Sequence, residues 1–475
     1  MGTRIGGASR PQHVRSNHAA DGWVVSYASI KSRLALDDMS SHSDTASASS
    51  RLAVVIPALN ERENLDLLIP AVKEVVAAIG LTIEILVVDG GSTDGTPQAA
   101  TRWGARVVVQ RERGYGGALL AGFADTTAPY IVTMDADLSH RPVFLEEFWR
   151  RRDQAEVLIA SRYVAGGRAD MGRFRRLLSH VLNRTYSRVL SLPFHDLSSG
   201  FRMYHRKVLT GVTLVARDFD LLEELLIRVH AEGWQILEVP FHYMSRGTGR
   251  SHVRLFKFGV AFLKTLVRMW RLRNSVASAD YDHRAFDSPI WLQRYWQRSR
   301  HRVVFGFLED RKSVLDIGCG SGRIIQDLPD AVGLDILRPK LRWLKPRHRL
   351  LVQASCDRLP FRTGSFASVI NSEVIEHIPD SPDIWSEMCR VLRPGGILVL
   401  GTPDYGRWLW WVLEWIYGKV LPGGYADEHI THFTNEELTT RLRAAGYEIL
   451  DCQYVGFCEM IFKARKPLTA GPRTA

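Results

Sequence analysis

From Arg51 onward, apolar runs of strand length alternate with amphipathic stretches of helical period. Leu52-Ala53-Val54-Val55-Ile56-Pro57 is continuously apolar, as a strand buried on both faces must be. Asn60-Glu61-Arg62-Glu63-Asn64 then opens a helix with apolar residues at Leu65, Leu68 and Ile69. A second strand, Ile83 to Val88, ends in Asp89-Gly90-Gly91-Ser92-Thr93-Asp94-Gly95-Thr96. A third, Arg106 to Val109, leads into Gly114-Tyr115-Gly116-Gly117-Ala118 and another helix. Tyr130-Ile131-Val132 leads into Met134-Asp135-Ala136-Asp137-Leu138-Ser139-His140. Strands alternating with helices predict a doubly wound parallel sheet, with the polar strand ends converging on one crevice. Residues 1–50 lack any sustained apolar period and are expected to form a disordered tail.

The pattern breaks across 274–287 into Ser, Ala and Asp residues, with Tyr281-Asp282-His283 inside, and then resumes. After a helix rich in Trp and Arg, the strand Ser313–Ile317 ends in Gly318-Cys319-Gly320-Ser321-Gly322, and the next, Val332-Gly333-Leu334, ends in Asp335. The expected organisation is therefore a tail (1–50), an α/β domain closing on a basic amphipathic helix (51–273), a linker (274–287), a second α/β domain (288–465) and a short tail (466–475). A chain of 475 residues is long enough for two or three domains.

Charge narrows the partners. A net charge of +11 suggests an anionic partner. Seven arginines and one acid lie between Arg162 and Arg188, and eight Lys or Arg residues with no acid lie between Phe241 and Arg273. In the latter stretch Leu255, Phe256, Gly259, Phe262, Leu263, Leu266, Val267 and Trp270 share one helical face, with Lys257, Lys264, Arg268 and Arg271 opposite. Such a helix either lies in a membrane interface and attracts anionic lipid or packs on the core with a solvated cationic face. No nucleic-acid partner is expected, because no recognition fold or aromatic-interleaved basic repeat is present. The five cysteines (Cys319, Cys356, Cys389, Cys452, Cys458) show no zinc-type pairing and read as reduced thiols. No apolar run reaches the ~20 residues of a membrane span, and no signal-peptide core is visible. The expectation is a cytoplasmic protein, peripheral on the cytoplasmic face of a membrane, its oligomeric state unread.

Asp135 and Asp137 at a strand end can share one hard divalent cation, Mg2+ or Mn2+, which can hold a diphosphate and neutralise a leaving group. Asp-x-Asp also occurs in solvated turns, so the surrounding motifs matter. Pro57-Ala58-Leu59-Asn60-Glu61, the Asp89–Thr96 run, Gly114–Ala118, Met134–His140 and Asp196-Leu197-Ser198-Ser199-Gly200-Phe201-Arg202-Met203-Tyr204 resemble, in order and spacing, the family-2 glycosyltransferases, and among them the dolichyl- and polyprenyl-phosphate mannose synthases. The resemblance spans about 51–270 and implies a GT-A fold with inverting, metal-dependent transfer from a nucleotide-sugar, GDP-mannose or a UDP-hexose, to a polyprenyl phosphate. It implies that Pro57, Glu61 and Asp89 line the nucleoside pocket, that Asp135, Ala136 and Asp137 form the donor site with both acids on the metal, and that Arg162, Arg176 and Arg246 meet phosphates. Asp137, Arg162 and Arg176 would be the catalytic set. Departures are Gly90 where a second Asp is common, His252 where a Lys usually follows the Arg246 motif, and Leu59 where Tyr is usual. Guanine versus uracil stays open. A phosphate acceptor is already ionised, whereas a sugar hydroxyl would need a base; Glu223 or Glu224 could serve, or either could cap a helix or brace an arginine.

In the second half, Asp316 before the glycines can meet the cationic amino-acid end of S-adenosylmethionine, and the glycines let backbone approach a ligand. Asp335 suits ribose hydroxyls. Together with Ala354–Phe361, Glu373-Val374-Ile375-Glu376-His377-Ile378 and Val391–Gly396, the set resembles class I SAM-dependent methyltransferases of Rossmann-like fold over about 285–465. The resemblance implies that Asp316, Gly318, Gly320, Asp335 and Asp357 bind the cofactor, with Ser368 replacing an Asp frequent at the start of the fourth strand. If the methyl acceptor is a hydroxyl, His377, His429 and His432 are candidate bases, with His377 taken as catalytic; His377 could equally be a satisfied helix-end residue. Trp408–Tyr417 could cover an apolar acceptor, lie at headgroup level, or pack as a lid. The reading is a bifunctional chain. Its alternatives are transfer to a glycan or glycolipid hydroxyl, or one half serving as a silent binding module.

Overall fold

The computed structural model describes residues 51–244, 255–420 and 429–468. The predicted tail 1–50, Arg246, His252 and most of 466–475 lie outside the described residues.

The first sheet is built from β1 (Arg51–Ala58), β2 (Thr82–Asp89), β3 (Arg106–Val109), β4 (Tyr130–Thr133), β5 (Val157–Ser161), β7 (Arg202–His205) and β8 (Ile236–Pro240), while β6 (Arg168–Ala169) pairs separately with β9 (His242–Tyr243). Its order is β3-β2-β1-β4-β7-β5-β8. β1 pairs in parallel with β2 and β4, and β7 runs antiparallel between β4 and β5. The unbroken apolar run of β1 has a direct cause. Ala53 and Val55 face one core layer while Leu52, Val54 and Ile56 face the other, so neither face of the strand meets water.

The second sheet comprises β10 (Val314–Ile317), β11 (Val332–Asp335), β12 (Leu351–Gln353), β13 (Phe366–Ser372), β14 (Leu392–Pro403), β15 (Glu448–Val455) and β16 (Glu459–Arg465), in the order β12-β11-β10-β13-β14-β16-β15. The strands from β12 to β14 are parallel, and β16 joins antiparallel to β14 and β15. These are two α/β sheets of the predicted class.

The 274–287 segment is not an extended tether. It contains the helix Tyr281–Phe286, with Ala279, Asp280 and Tyr281 buried. Asp280 receives the guanidinium of Arg273 at 2.5 and 2.7 Å and lies 3.5 Å from His230. The Ala279 amide donates to the Ala231 carbonyl at 2.7 Å, and Arg342 lies 3.6 Å over the Trp234 ring. A buried, bidentate ion pair thus joins the last helix of the first sheet to the entry of the second. Burial alone would raise the Asp280 pKa, but His230, Arg273 and Arg284 around it hold the carboxyl far below its usual range.

Candidate active sites

In the first domain the polar ends of β1, β2 and β4 meet. Asp89 is 9% exposed, and its carboxylate accepts the amides of Gly91 (3.1 Å) and Ser92 (3.2 Å). The rest of the Asp89–Thr96 motif builds the wall. Ser92 Oγ accepts the Asn60 amide (2.8 Å), Asn60 Oδ1 accepts the Thr93 amide (2.9 Å), Thr96 Oγ1 accepts the Glu61 amide (2.9 Å), and Asp94 accepts the Arg62 amide (3.1 Å). Asp94 and Thr96 thereby satisfy two of the orphan donors that open the Arg62–Ala78 helix. Pro57 and Glu61 are half-buried beside this clip.

Asp135 and Asp137 follow β4. Asp135 Oδ1 accepts the Tyr115 hydroxyl at 2.8 Å, and its amide donates to His140 Nδ1 at 3.0 Å. His140, stacked on Phe201 with ring centroids 4.8 Å apart, sets Nε2 at 3.8 Å from Asp135 Oδ2. Asp137 is buried and accepts the Ser139 amide at 3.1 Å. Leu138 between them has φ 63°, a left-handed conformation that costs a residue with a Cβ. A Cβ on Gly200 would lie 2.7 Å from the Tyr115 hydroxyl and 3.3 Å from Asp135 Oδ1, so that glycine is needed for close approach. Two carboxylates from one turn, Asp135 bonded to a neutral phenol, form a hard-oxygen donor set that fits Mg2+ or Mn2+.

Arg162 is spoken for within the protein. Its amide, Nε and Nη2 donate to Asp196 at 2.9, 2.8 and 2.6 Å, and Nη2 also reaches Ser198 Oγ. A phosphate arriving here would share the guanidinium with a buried acid. Arg176 lies on the exposed face of the helix Arg173–Val189 and donates to the Ala169 carbonyl at 2.6 Å. Glu224 accepts the amides of Val215 and Ala216 and the guanidinium groups of Arg228 and Arg268; it braces arginines. Glu223 is fully buried, neither oxygen has a hydrogen-bond partner, and burial, partly offset by Arg202, pushes its pKa up to about 8.

The Leu255–Arg273 helix divides the face that its sequence period joins. Phe262 and Met269 are buried, Leu266 and Trp270 pack on the core, and Val260, Leu263 and Val267 are exposed. Arg268 turns to Glu224, while Lys264 and Arg271 stay in solvent. Phe174, Leu177 and Val181 of the neighbouring helix are also exposed, at 73%, 61% and 52%. The two helices touch through Tyr186, whose hydroxyl donates to the Phe262 carbonyl at 2.6 Å.

In the second domain, Asp316 lies one residue before the end of β10 and is 4% exposed; burial and the nearby Asp335 push its pKa up to about 8. Asp335 accepts the amides of Gly320 (2.8 Å) and Leu337 (2.7 Å). Gly318 and Gly320 both have positive φ. Asp357, half-buried, follows β12. The residue that sequence reasoning missed is Asp282. From the boundary helix it accepts the Ser321 amide (3.0 Å) and hydroxyl (3.1 Å) and the Lys340 ammonium (2.7 Å), so it braces the glycine loop. Acidic and aromatic residues in an otherwise Ser/Ala-rich break were its only sequence signal.

His377 sits on the single turn Ile375–His377, its ring 4.8 Å from that of His429. His429 Nδ1 lies 2.7 Å from the Tyr405 hydroxyl and 3.3 Å from Glu414, and His432 stacks on Tyr405 at 4.0 Å. The Trp408–Val420 helix packs Trp410 over His429 and exposes Trp408, Trp411 and Trp415, so one face packs on the domain and the other is bare. Tyr281, Trp296, Arg300, Glu373, Trp410 and His429 are among the residues lining a cavity beneath it.

These geometries accompany clear similarities. Glycosyl transferase family 2 matches residues 53–212, and a methyltransferase domain family matches residues 288–451. The polyprenol monophosphomannose synthase of Mycolicibacterium smegmatis is 34% identical over 250 residues, covering 50% of this chain and 92% of the relative. The chain belongs to glycosyl transferase family 2. The family-2 domain is also similar to dolichol-phosphate mannosyltransferase of Pyrococcus furiosus, 31% identical over 231 residues, with 47% of this chain and 63% of that relative covered. Among solved structures, glucosyl-3-phosphoglycerate synthase from Mycobacterium tuberculosis in complex with Mn2+, UDP and phosphoglyceric acid is 23% identical, covering 48% of this chain and 84% of that chain with a TM-score of 0.40. The family-2 glycosyltransferase domain is thus fused to a methyltransferase domain, as its motifs predict.

Proposed function

We propose that the first domain transfers a hexose, mannose or glucose, from GDP-mannose or a UDP-hexose to a polyprenyl phosphate, and that the second methylates an acceptor with S-adenosylmethionine. The observation that carries the first half is the pairing of Asp135 and Asp137 after β4 with Asp89 at the end of β2, the two strands that flank β1, in a domain similar to polyprenol monophosphomannose synthase. Asp135 and Asp137 would hold Mg2+ or Mn2+, which supplies positive charge against the departing diphosphate. Pro57, Glu61 and Asp89 would receive the nucleoside. The acceptor phosphate needs no base, and the helix Leu221–Ala231 offers none: Glu224 is committed to amides and arginines, and Glu223 is buried. Arg176, Arg162 and Arg246 are assigned to phosphates, Arg162 sharing its charge with Asp196.

The exposed side chains of Phe174, Leu177, Val181, Val260, Leu263 and Val267, set among Arg173, Arg175, Lys264 and Arg271, support a lipid-facing surface. Apolar groups would enter the acyl boundary while the cations meet anionic headgroups on the cytoplasmic face. Among the described residues no helix is long and apolar enough to cross a membrane. In the second domain Asp316, Gly318, Gly320, Asp335 and Asp357 would hold the cofactor, whose methyl group is the one transferred. Asp282 joins them by fixing the loop amide of Ser321.

The test is a screen of radiolabelled nucleotide-sugars with polyprenyl phosphate or a short glycan as acceptor. Chloroform-soluble label that appears only with polyprenyl phosphate and vanishes in EDTA is expected. Label that reaches only the glycan hydroxyl would replace the acceptor assignment.

A further inference from the structure

Beyond β13 the chain turns sharply through Glu373, whose φ is 60°, into the single turn that carries Glu376 and His377. His429 arrives from the other side of this turn, held there because the amides of Ile430 and Thr431 donate to the Glu376 carbonyl at 2.8 and 3.0 Å. One potential ligand atom from each of Glu376, His377 and His429 lies within 4.8 Å of the others. Glu376 is completely buried. One of its carboxylate oxygens accepts the Thr402 hydroxyl at 2.9 Å, and the other, Oε1, is buried with no hydrogen-bond partner. A buried carboxylate oxygen left so is costly, and a cation held between it and two imidazoles would satisfy it. The Glu414 carboxylate and Tyr405 hydroxyl at His429 Nδ1 are the kind of outer partners that orient a ligating imidazole through its second nitrogen.

Position gives the cluster a task. His429 and Glu373 line the cavity under the Trp408–Val420 helix. Val374, two residues from Glu376, fills the space where a Cβ on Gly318 would stand, 2.2 Å away. The cluster therefore borders the glycine loop through Val374 and the cavity through His429.

We propose that Glu376, His377 and His429 form a divalent-cation site in the wall of the methyltransferase cavity, and that the methyl acceptor is a hydroxyl oxygen bound to that cation. Two imidazoles and one carboxylate suit a first-row ion such as Zn2+ or Co2+ and leave coordination positions open. The cation lowers the hydroxyl pKa so that its proton passes to water. The C–O bond then forms as the methyl C–S bond breaks, the bonding pair stays on sulfur, and the sulfonium becomes a neutral thioether. His377 is on this account a ligand rather than a base. The acceptor half of the proposal rests on the methyltransferase reading above; the metal half does not.

The full-length chain, stripped with chelator, is titrated with Co2+ and followed by visible absorption, with S-adenosylmethionine affinity and thermal melting measured in parallel. An imidazole-bound, low-coordinate Co2+ absorbs strongly, whereas an all-oxygen octahedral site at Asp135 and Asp137 absorbs little. The expected result is a visible band that survives Asp137→Asn and is lost, with at least about a tenfold fall in Co2+ affinity, in Glu376→Gln and in the half-exposed His377→Asn. Should buried Glu376→Gln fail to fold, His377→Asn carries the decision alone. Absence of a band in the parent chain, or an undiminished band in the folded variants, overturns the proposal. A parent chain that binds Co2+ but not S-adenosylmethionine would remove the acceptor role and the methyltransferase reading beneath it.

Discussion

Asp135 reaches the first crevice with a side chain 28% exposed and a phenol for a partner, whereas Asp316 in the second is buried and its pKa is pushed up to about 8. Asp135 lies just beyond β4 and Asp316 near the end of β10, each an interior strand of a seven-stranded sheet. On the roles proposed, the difference follows the charge each acid would meet. A diphosphate carried by a metal would meet Asp135 at a partly open crevice beside the Tyr115 phenol, with Asp137 buried next to it. A site that receives a cationic ligand can bury its acid, because the ligand supplies the charge that makes ionisation favourable. On those proposed roles, one strand-end solution would serve two chemistries.

The largest expected effect breaks the first half of this comparison. Asp137→Asn removes one anionic oxygen from the metal set, and sugar transfer should fall by at least about a hundredfold, while S-adenosylmethionine affinity stays at the parent value. Calorimetry and a label-transfer assay on the same preparation check both halves. Full transfer activity in excess EDTA would show that the acids do not work through a metal.

Asp335→Ala sharpens the other side. It removes charge-assisted bonds of roughly 1.5–3 kcal/mol each, so cofactor affinity should drop at least about tenfold with sugar transfer retained. Because Asp335 also holds the Gly320 amide, Asp335→Asn should recover part of the loss if loop geometry contributes. Cofactor affinity should also climb as pH rises from 6 to 8, since Asp316 must ionise to meet a cation and its own pKa lies near 8. A flat profile would mean that Asp316 never faces the ligand's charge. Smaller again, Arg176→Ala should raise the acceptor KM severalfold without changing donor affinity. Equal loss of both would make the bond to Ala169 its real task.

The strand ends are legible in the sequence because acids and glycines placed directly after an apolar run suit a buried strand that opens onto a ligand crevice, and little else. Both α/β sheets and both family matches follow from them. What stays hidden depends on contacts between distant residues. Asp282 lies 39 positions before the serine amide it holds, in a stretch whose composition reads as a boundary. Glu376 and His429 are brought together only by the return of the chain past Thr402 and Ile430. The helical period of Leu255–Arg273 is correct as a period, yet it cannot say that Phe262 and Met269 face the core while Leu263 and Val267 face solvent. Nor can spacing reveal that Arg162 already has a full carboxylate partner in Asp196.

Glu223 tests the comparison from inside the first domain, where it behaves like the acids of the second. It is fully buried without a hydrogen-bond partner, and its pKa rises from 4.5 to about 8, chiefly through desolvation. A carboxyl that holds its proton more tightly folded than unfolded favours folding at acid pH. That contribution is complete below about 4.5 and is lost as pH rises through 8. Glu223→Gln keeps the neutral shape and removes the titration. Its Tm should match the parent at pH 5 and exceed it at pH 9, with sugar transfer preserved at both, because no step assigned to a phosphate acceptor uses this acid. A parent Tm that does not fall relative to the variant between those pH values would place Glu223 in contact with a partner that ionises it. Loss of transfer in the folded variant would instead return Glu223 to the role of base, and with it a hydroxyl acceptor for the sugar.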